Sequence, residues 1–333
     1  MRVTPTVLLR SAAAALLFCA FLRTAATTQA PPKRWYKGNL HTHTLNSDGD
    51  SSPEAVAAWY KDHGYHFLVL SDHNKLTDPA PLNASLAESE KFLLLPGEEV
   101  TSSFEKRPAH VNGYGVNELV KPEVGENMAS TLQKNVDAIR AARGLPSVNH
   151  PNFRWAMTSA DLLAVKNLSL FEIYNGHPQV HNRGGGGAES LDTMWDTLLT
   201  SGRRIYGIAV DDAHVFKRTG KDVSGPGRGW VHVRCPKLAS ADIFAALEAG
   251  DFYSSTGVVL EDVHSSAKEL RVTIAQTGDN RYSTDFLGAG GVLLSVQHGL
   301  TAAYIYKGDE QYVRAVVHSS NGDDAWTQPV FRR

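Results

Sequence analysis

The sequence predicts an α/β fold, a β/α barrel carrying a small β-rich appendage, and three observations predict it. From Lys37 to about Ser255, short apolar runs alternate with helical patterns, the mark of β/α units rather than of a sandwich. Runs such as Phe67-Leu68-Val69-Leu70 are apolar on both faces, as strands inside a parallel sheet are. After Ser255 the helical period stops, and alternating strands separated by Gly, Asn and Asp turns take over. With 42% hydrophobic residues in 333, the chain has enough apolar side chains to fill one barrel core and a satellite.

In chain order, residues 39–44 read as the first strand. Ser52 then suits an N-cap, with Pro53 at the first helical position and Gly64 as the stop. Strands follow at residues 66–71, 92–95, 110–114, 147–150, 170–174 and 205–210, with helices over 129–143, 159–166 and 189–201. About seven strands emerge, and a seven- or eight-stranded barrel is their natural closure. The appendage has strands at 270–274, 291–296, 302–306 and 312–317, so the expected division is 31–255 for the barrel and 256–333 for the β appendage. Two glycine-rich stretches, Gly184 to Gly187 and residues 224–229, lack the Lys-Ser/Thr ending of a nucleotide-binding loop and read as connections.

Residues 1–30 differ from the rest. Arg2 and Arg10 precede an apolar stretch ending in small residues, the layout of a secretory signal peptide, so the expected product is secreted or periplasmic. Its removal leaves 30 basic against 35 acidic residues, a net charge of −5. Duplex nucleic acid is therefore not an expected partner, since it requires clustered Lys and Arg; small or locally presented substrates fit better. Cys19 lies in that segment, leaving Cys235 alone in the mature chain, which excludes an intramolecular disulfide and thiolate metal sites.

The chemistry-bearing residues gather at strand ends. In His41-Thr42-His43 the imidazoles are two apart, so on a strand they share a face and can meet at one ion. Ser71-Asp72-His73, Gly97-Glu98-Glu99, His110, Asn149-His150-Pro151 and Asp212-Ala213-His214 end or open other strands. Barrels collect catalytic residues at the C-terminal ends of their strands, so ligands distant in sequence can converge.

Asn39-Leu40-His41-Thr42-His43-Thr44, Ser47-Asp48-Gly49, the segment from Gly64 to Asn74 and Asp212-Ala213-His214 together resemble the PHP family, named for polymerase and histidinol-phosphatase domains, over roughly residues 37–255. The resemblance implies a distorted seven-stranded β/α barrel, two or three divalent metal ions and phosphoesterase activity. Carried over by position, it implies that His41, His43 and Asp212 hold one ion, with Glu98 bridging to a second ion held by His110 and His150. Glu99 stands beside Glu98 as the alternative. Asp48, His73 and His214 are the implied third set, and Asp48 stands where some members have histidine, as in the subgroup acting on nucleotide-type phosphates. Imidazole and carboxylate donors suit zinc, manganese or iron.

The expected reaction is hydrolysis of a small phosphate ester, of nucleotide or sugar-phosphate type, by water activated on the ions, with Asp212, His214 or His73 moving protons. Arg154, His177 and Arg228 are the candidate substrate contacts, and Asp72 and Asp211 the expected partners orienting ligand histidines. Two other classes compete: a metal-dependent amide or lactone hydrolase, and a non-catalytic, metal-stabilised binding module. Release of phosphate from an aryl phosphate separates the phosphoesterase from the amide or lactone hydrolase.

Overall fold

The structure is a computed structural model that describes residues 1–2, 32–86 and 91–332. The expected signal segment, with Cys19, falls almost wholly outside them. Lys33–Arg333 form one compact unit. Among the described residues, no helix is long and apolar enough to cross a membrane.

The fold is mixed α/β. In chain order, the first part runs β1 (Arg34–Asn39), α1 (Pro53–Asp62), β2 (Phe67–Val69), α2 (Pro79–Leu86), β3 (Leu93–Leu95), β4 (Gly97–Phe104), β5 (Arg107–Tyr114), α3 (Met128–Ala141) and β6 (Leu145–Val148). It continues with α4 (Ser159–Ala164), β7 (Leu170–Asn175), α5 (Leu191–Thr200), β8 (Tyr206–Val210), β9 (Trp230–Cys235), α6 (Ser240–Ala249) and β10 (Phe252–Ser255). The remainder is β11 (Leu260–Ser265), β12 (Glu269–Ile274), β13 (Tyr282–Leu287), β14 (Leu293–His298), β15 (Thr301–Ile305), β16 (Tyr312–Ser319), β17 (Asp324–Thr327) and β18 (Val330–Phe331).

Local chemistry accounts for the clearest boundaries. Ser52 caps α1 by accepting from the Ala55 amide, Pro53 opens the helix, and Gly64 turns the chain at φ +75°, a conformation that suits a residue without Cβ. The β4–β5 hairpin turns through Glu105 (φ 49°) and Lys106 (φ 67°). Two successive left-handed residues match the twist of antiparallel strands.

That hairpin is one reason the expected barrel does not close as a ring of ladders. One sheet runs β14-β13-β16-β17-β10-β9-β1-β2-β3, with β18 on β16, and a second runs β4-β5-β6-β7-β8. Among the described residues, the two meet at the site end through isolated bridges, Thr42 with Ala213 and His73 with Glu99. Leu40, Phe67, Val69 and Leu95 from the first sheet share a core with Tyr114, Leu145, Leu170 and Ile208 from the second. The amphipathic helices α3 and α5 bury Val136, Ile139, Trp195 and Leu198 in a separate cluster with the second sheet's Val111, Val148 and Phe171.

The first sheet also runs across the expected division at 255/256, because β10 pairs with β17. Arg314 of β16 reinforces the join. Its fully buried side chain forms ion pairs with Asp192 (3.1 Å) and Asp196 (2.6 Å) on α5.

Candidate metal centre

Beyond β1 the chain leaves the ladder but stays extended, with His43 N donating to Ala213 O (2.9 Å), Asp212 N to His41 O (2.9 Å) and Ser71 N to Thr42 O (3.0 Å). These bonds bring three strand ends to one mouth. Asp212 and His150 occupy positive φ, 51° and 25°, conformations costly for residues with a Cβ and often found at functional sites.

Four overlapping groups of donor atoms result: His41, His43 and Asp212; His43, Asp48, His73 and His214; His41, Glu99 and His150; His73, Glu99 and His110. Glu99, which is fully buried, links them. One oxygen lies 2.9 Å from His110 Nδ1 and 3.2 Å from His150 Nε2, the other 2.8 Å from His73 Nδ1 and 3.3 Å from His41 Nε2. Eight of the nine expected ligand positions thus converge, and Glu98 does not. On β4 successive side chains alternate faces: Glu99 pairs opposite Asn112 and Thr101 opposite His110, whereas Glu98 sits opposite Gly113. The Glu98 carboxylate accepts from Val120 N at 2.6 Å, and burial pushes it up to about 7.

The separations suit ions. His41 Nε2 and His43 Nε2 are 3.1 Å apart, and each lies 3.2–3.3 Å from Asp212 Oδ1. Metal–nitrogen bonds of about 2.0–2.1 Å place tetrahedral ligand atoms roughly 3.4 Å from one another. Glu99 Oε2 and His150 Nδ1 are buried without a hydrogen-bond partner, and such atoms are costly unless something satisfies them. The donor set therefore fits divalent cations.

The electrostatics point the same way. Burial opposes charge on Glu99, yet His73, His41 and His110 hold its carboxyl well below the usual range. Burial likewise opposes charge on Asp212, which His41 and His43 hold low. Burial, then the neighbouring His214, lowers His43 to about 4, so its ring is a neutral donor at pH 7.

The groups around the cluster differ from expectation. Asp72 accepts from Thr44 N (2.7 Å), Thr44 Oγ1 (2.8 Å) and Ser47 Oγ (2.7 Å), which fixes the turn that carries Asp48. Asp211 accepts from the amides of Gly227, Arg228 and Gly229 and from Tyr60 Oη. The glycine loop's amides are thereby spent, and neither aspartate orients a histidine. Glu172 of β7 does: it accepts from His41 Nδ1 (2.6 Å), His150 N (2.7 Å) and Asn175 Nδ2 (2.8 Å). A carboxylate alone in the apolar run Leu170 to Tyr174 was the available signal.

A cavity of about 400 Å³ opens onto the cluster, lined by Asp48, His73, His110, His150, Asp212 and His214 and further out by Phe153, His177, Gln179, Arg218 and Asp222. Of the three expected substrate contacts, His177 lines it. Arg154 is exposed over the Phe153 ring and does not line the cavity. Arg228 donates to Gly176 O (2.9 Å) and Gly220 O (2.6 Å) and lines a different cavity; it ties two loops together. Arg218 was missed because nothing local to it marks a site.

No protein-family model matches the chain. It is 29% identical over 170 residues to the 5'-3' exoribonuclease Rnm of Escherichia coli, covering 50% of this chain and 55% of that protein. The chain thus spans about half the length of the curated relative it matches. Among solved structures, it resembles an amidohydrolase from Chromobacterium violaceum, with bound sulfate and no metal, at 18% identity and TM-score 0.38, over 64% of this chain and 96% of that one. A two-domain protein from Bacteroides vulgatus, containing a predicted PHP-like metal-dependent phosphoesterase, matches 88% of this chain and 94% of its own at 15% identity and TM-score 0.50. The fold of this chain is that of a PHP-like protein.

Proposed function

We propose that this chain is a metal-dependent hydrolase of phosphoric esters whose ligands are His41, His43, Asp48, His73, Glu99, His110, His150, Asp212 and His214. One observation carries the reading: four donor groups that share members, with the buried carboxylates of Glu99 and Asp212 among them, lie together at one cavity, lined by Asp48, His73, His110, His150, Asp212 and His214. The likeness to a PHP-like phosphoesterase fold and to part of an exoribonuclease supports the choice of phosphate chemistry.

When bound, two or three divalent ions, whether zinc, manganese or iron, neutralise phosphoryl oxygens and lower the pKa of water to supply hydroxide. With ions holding the imidazoles neutral, the three carboxylates Asp48, Glu99 and Asp212 would leave such a centre net positive, which would suit an anionic ester. Glu172 keeps the His41 proton on Nδ1 and turns Nε2 toward the cluster. His177 Nδ1 accepts from Gln179 N (3.2 Å), so its neutral ring carries the proton on Nε2, available to a departing oxygen. Asp212, held ionised, can take a proton from water, while His73 and His214 complete the proton-carrying set. Export, read from residues 1–30, remains part of the proposal.

Metal analysis of the purified protein joined to a panel of phosphate esters tests the reading. Phosphate release that a chelator abolishes and manganese or zinc restores is expected. Turnover confined to amides or lactones would overturn it.

A further inference from the structure

We infer that Arg218 sets specificity by gripping a second oxyanion on the ester, away from the scissile phosphoryl group; this rests on the phosphoesterase reading above. Among the described residues, Arg218 is the one Lys or Arg side chain that lines the cavity. It is exposed and has no hydrogen-bond or ion-pair partner, unlike Arg228, whose guanidinium already serves two carbonyls. Asp222 lines the same cavity but forms no ion pair with Arg218, so the guanidinium stays available.

The loop that carries Arg218 is built to hold it in place. On one side, the Asp50 carboxylate accepts from Phe216 N (2.9 Å) and Lys217 N (3.2 Å), while Asp50 N donates to His214 O (2.8 Å). On the other, Arg228 ties Gly220 O to Gly176 O, next to His177. The backbone flanking Arg218 is therefore pinned both to the ligand-bearing strand end and to the His177 loop, which lowers the ordering cost of binding. The cavity that Arg218 lines is also lined by the donors Asp48, His73, His110, His150, Asp212 and His214. A phosphoryl group at the donors and a second oxyanion at Arg218 would therefore share one cavity. Guanidinium binds phosphate and carboxylate oxygens in pairs, so either fits.

The test compares phenyl phosphate with carboxyphenyl phosphate on the metal-loaded protein, for wild type, R218A, R218K and D222N. Expected is a wild-type preference for the carboxylated ester, expressed in KM. The ratio of kcat/KM values should fall about tenfold or more in R218A, recover partly in R218K, and rise in D222N, where a like charge on the cavity wall no longer repels the carboxylated ester. A ratio unchanged in R218A, with phenyl phosphate still hydrolysed, overturns the inference alone. A wild type that hydrolyses neither ester overturns the phosphoesterase reading, and the inference with it.

Discussion

Glu172 and His41, both wholly buried, share a 2.6 Å hydrogen bond between Oε1 and Nδ1. A carboxylate behind a ligand imidazole fixes its tautomer and raises its basicity, and losing such a partner typically lowers metal affinity 10–100-fold. Glu172→Gln should therefore weaken metal binding by about that factor while the far-ultraviolet circular dichroism stays unchanged. A titration with manganese or zinc checks this, and wild-type affinity in the variant would remove Glu172 from the site's support.

Adjacent carboxylates should separate cleanly. Glu99→Gln removes the group common to two of the four donor sets and should reduce bound metal and cut kcat at least about a hundredfold. Glu98→Gln, on the opposite face of β4 and bonded to Val120 N, should leave metal content near wild type. The reverse pattern would place the bridging role on Glu98.

Metal removal should be read in stability as well as in rate. Ions that bind the folded chain alone stabilise it by roughly 2.7 kcal/mol at a hundred times their Kd. Chelation should lower the melting temperature, and His43→Ala, which takes a donor from two of the four groups, should show a smaller metal-dependent shift than wild type. A melting curve indifferent to metal in the wild type would argue that the cluster holds none.

His232 should impose a pH dependence far from the site. Burial first, then Lys37 and His66, lower its pKa to about 3, and the neutral ring accepts from Trp230 Nε1 at 3.0 Å while stacking on Tyr253. Below about pH 6.5 the unfolded chain takes up a proton that the folded chain refuses. Stability present above that pH is lost as pH falls toward 3, by at most about 1.4 kcal/mol per unit. Urea unfolding at pH 7 and pH 5 should show the loss in wild type, and a shallower one in His232→Gln.

Arg314 should report whether the C-terminal strands stand apart. Its Nε and Nη2 bind both Asp196 oxygens, and Tyr312 Oη donates to the same carboxylate. Arg314→Met strands a buried aspartate, at a cost of about 3–5 kcal/mol. Adding Asp196→Leu should recover much of that. Denaturation should also remain a single transition, because β10 and β17 belong to one ladder.

What the sequence disclosed followed from periodicity and short motifs. His41, His43, His73, His150, Asp212 and His214 stand at strand ends with flanking signatures, and Ser52, Pro53 and Gly64 bound α1 as capping chemistry requires. Non-local facts were not legible. Glu98 and Glu99 differ only by the register of β4 on β5, and that hairpin was unread because Glu105-Lys106 is a tight turn without glycine. Barrel closure depends on which edges pair, and no single segment encodes it. Asp72 and Asp211 carry the same charge as Glu172; only the fold turns one toward an imidazole and the other two toward backbone amides.

The joining of the two sheets by the lone bridges at Thr42–Ala213 and His73–Glu99 has a kinetic side. The amides of Asp212 and Glu99 bond outside the ladders, to His41 O and Asp72 O, so their exchange should outpace that of the ladders on either side.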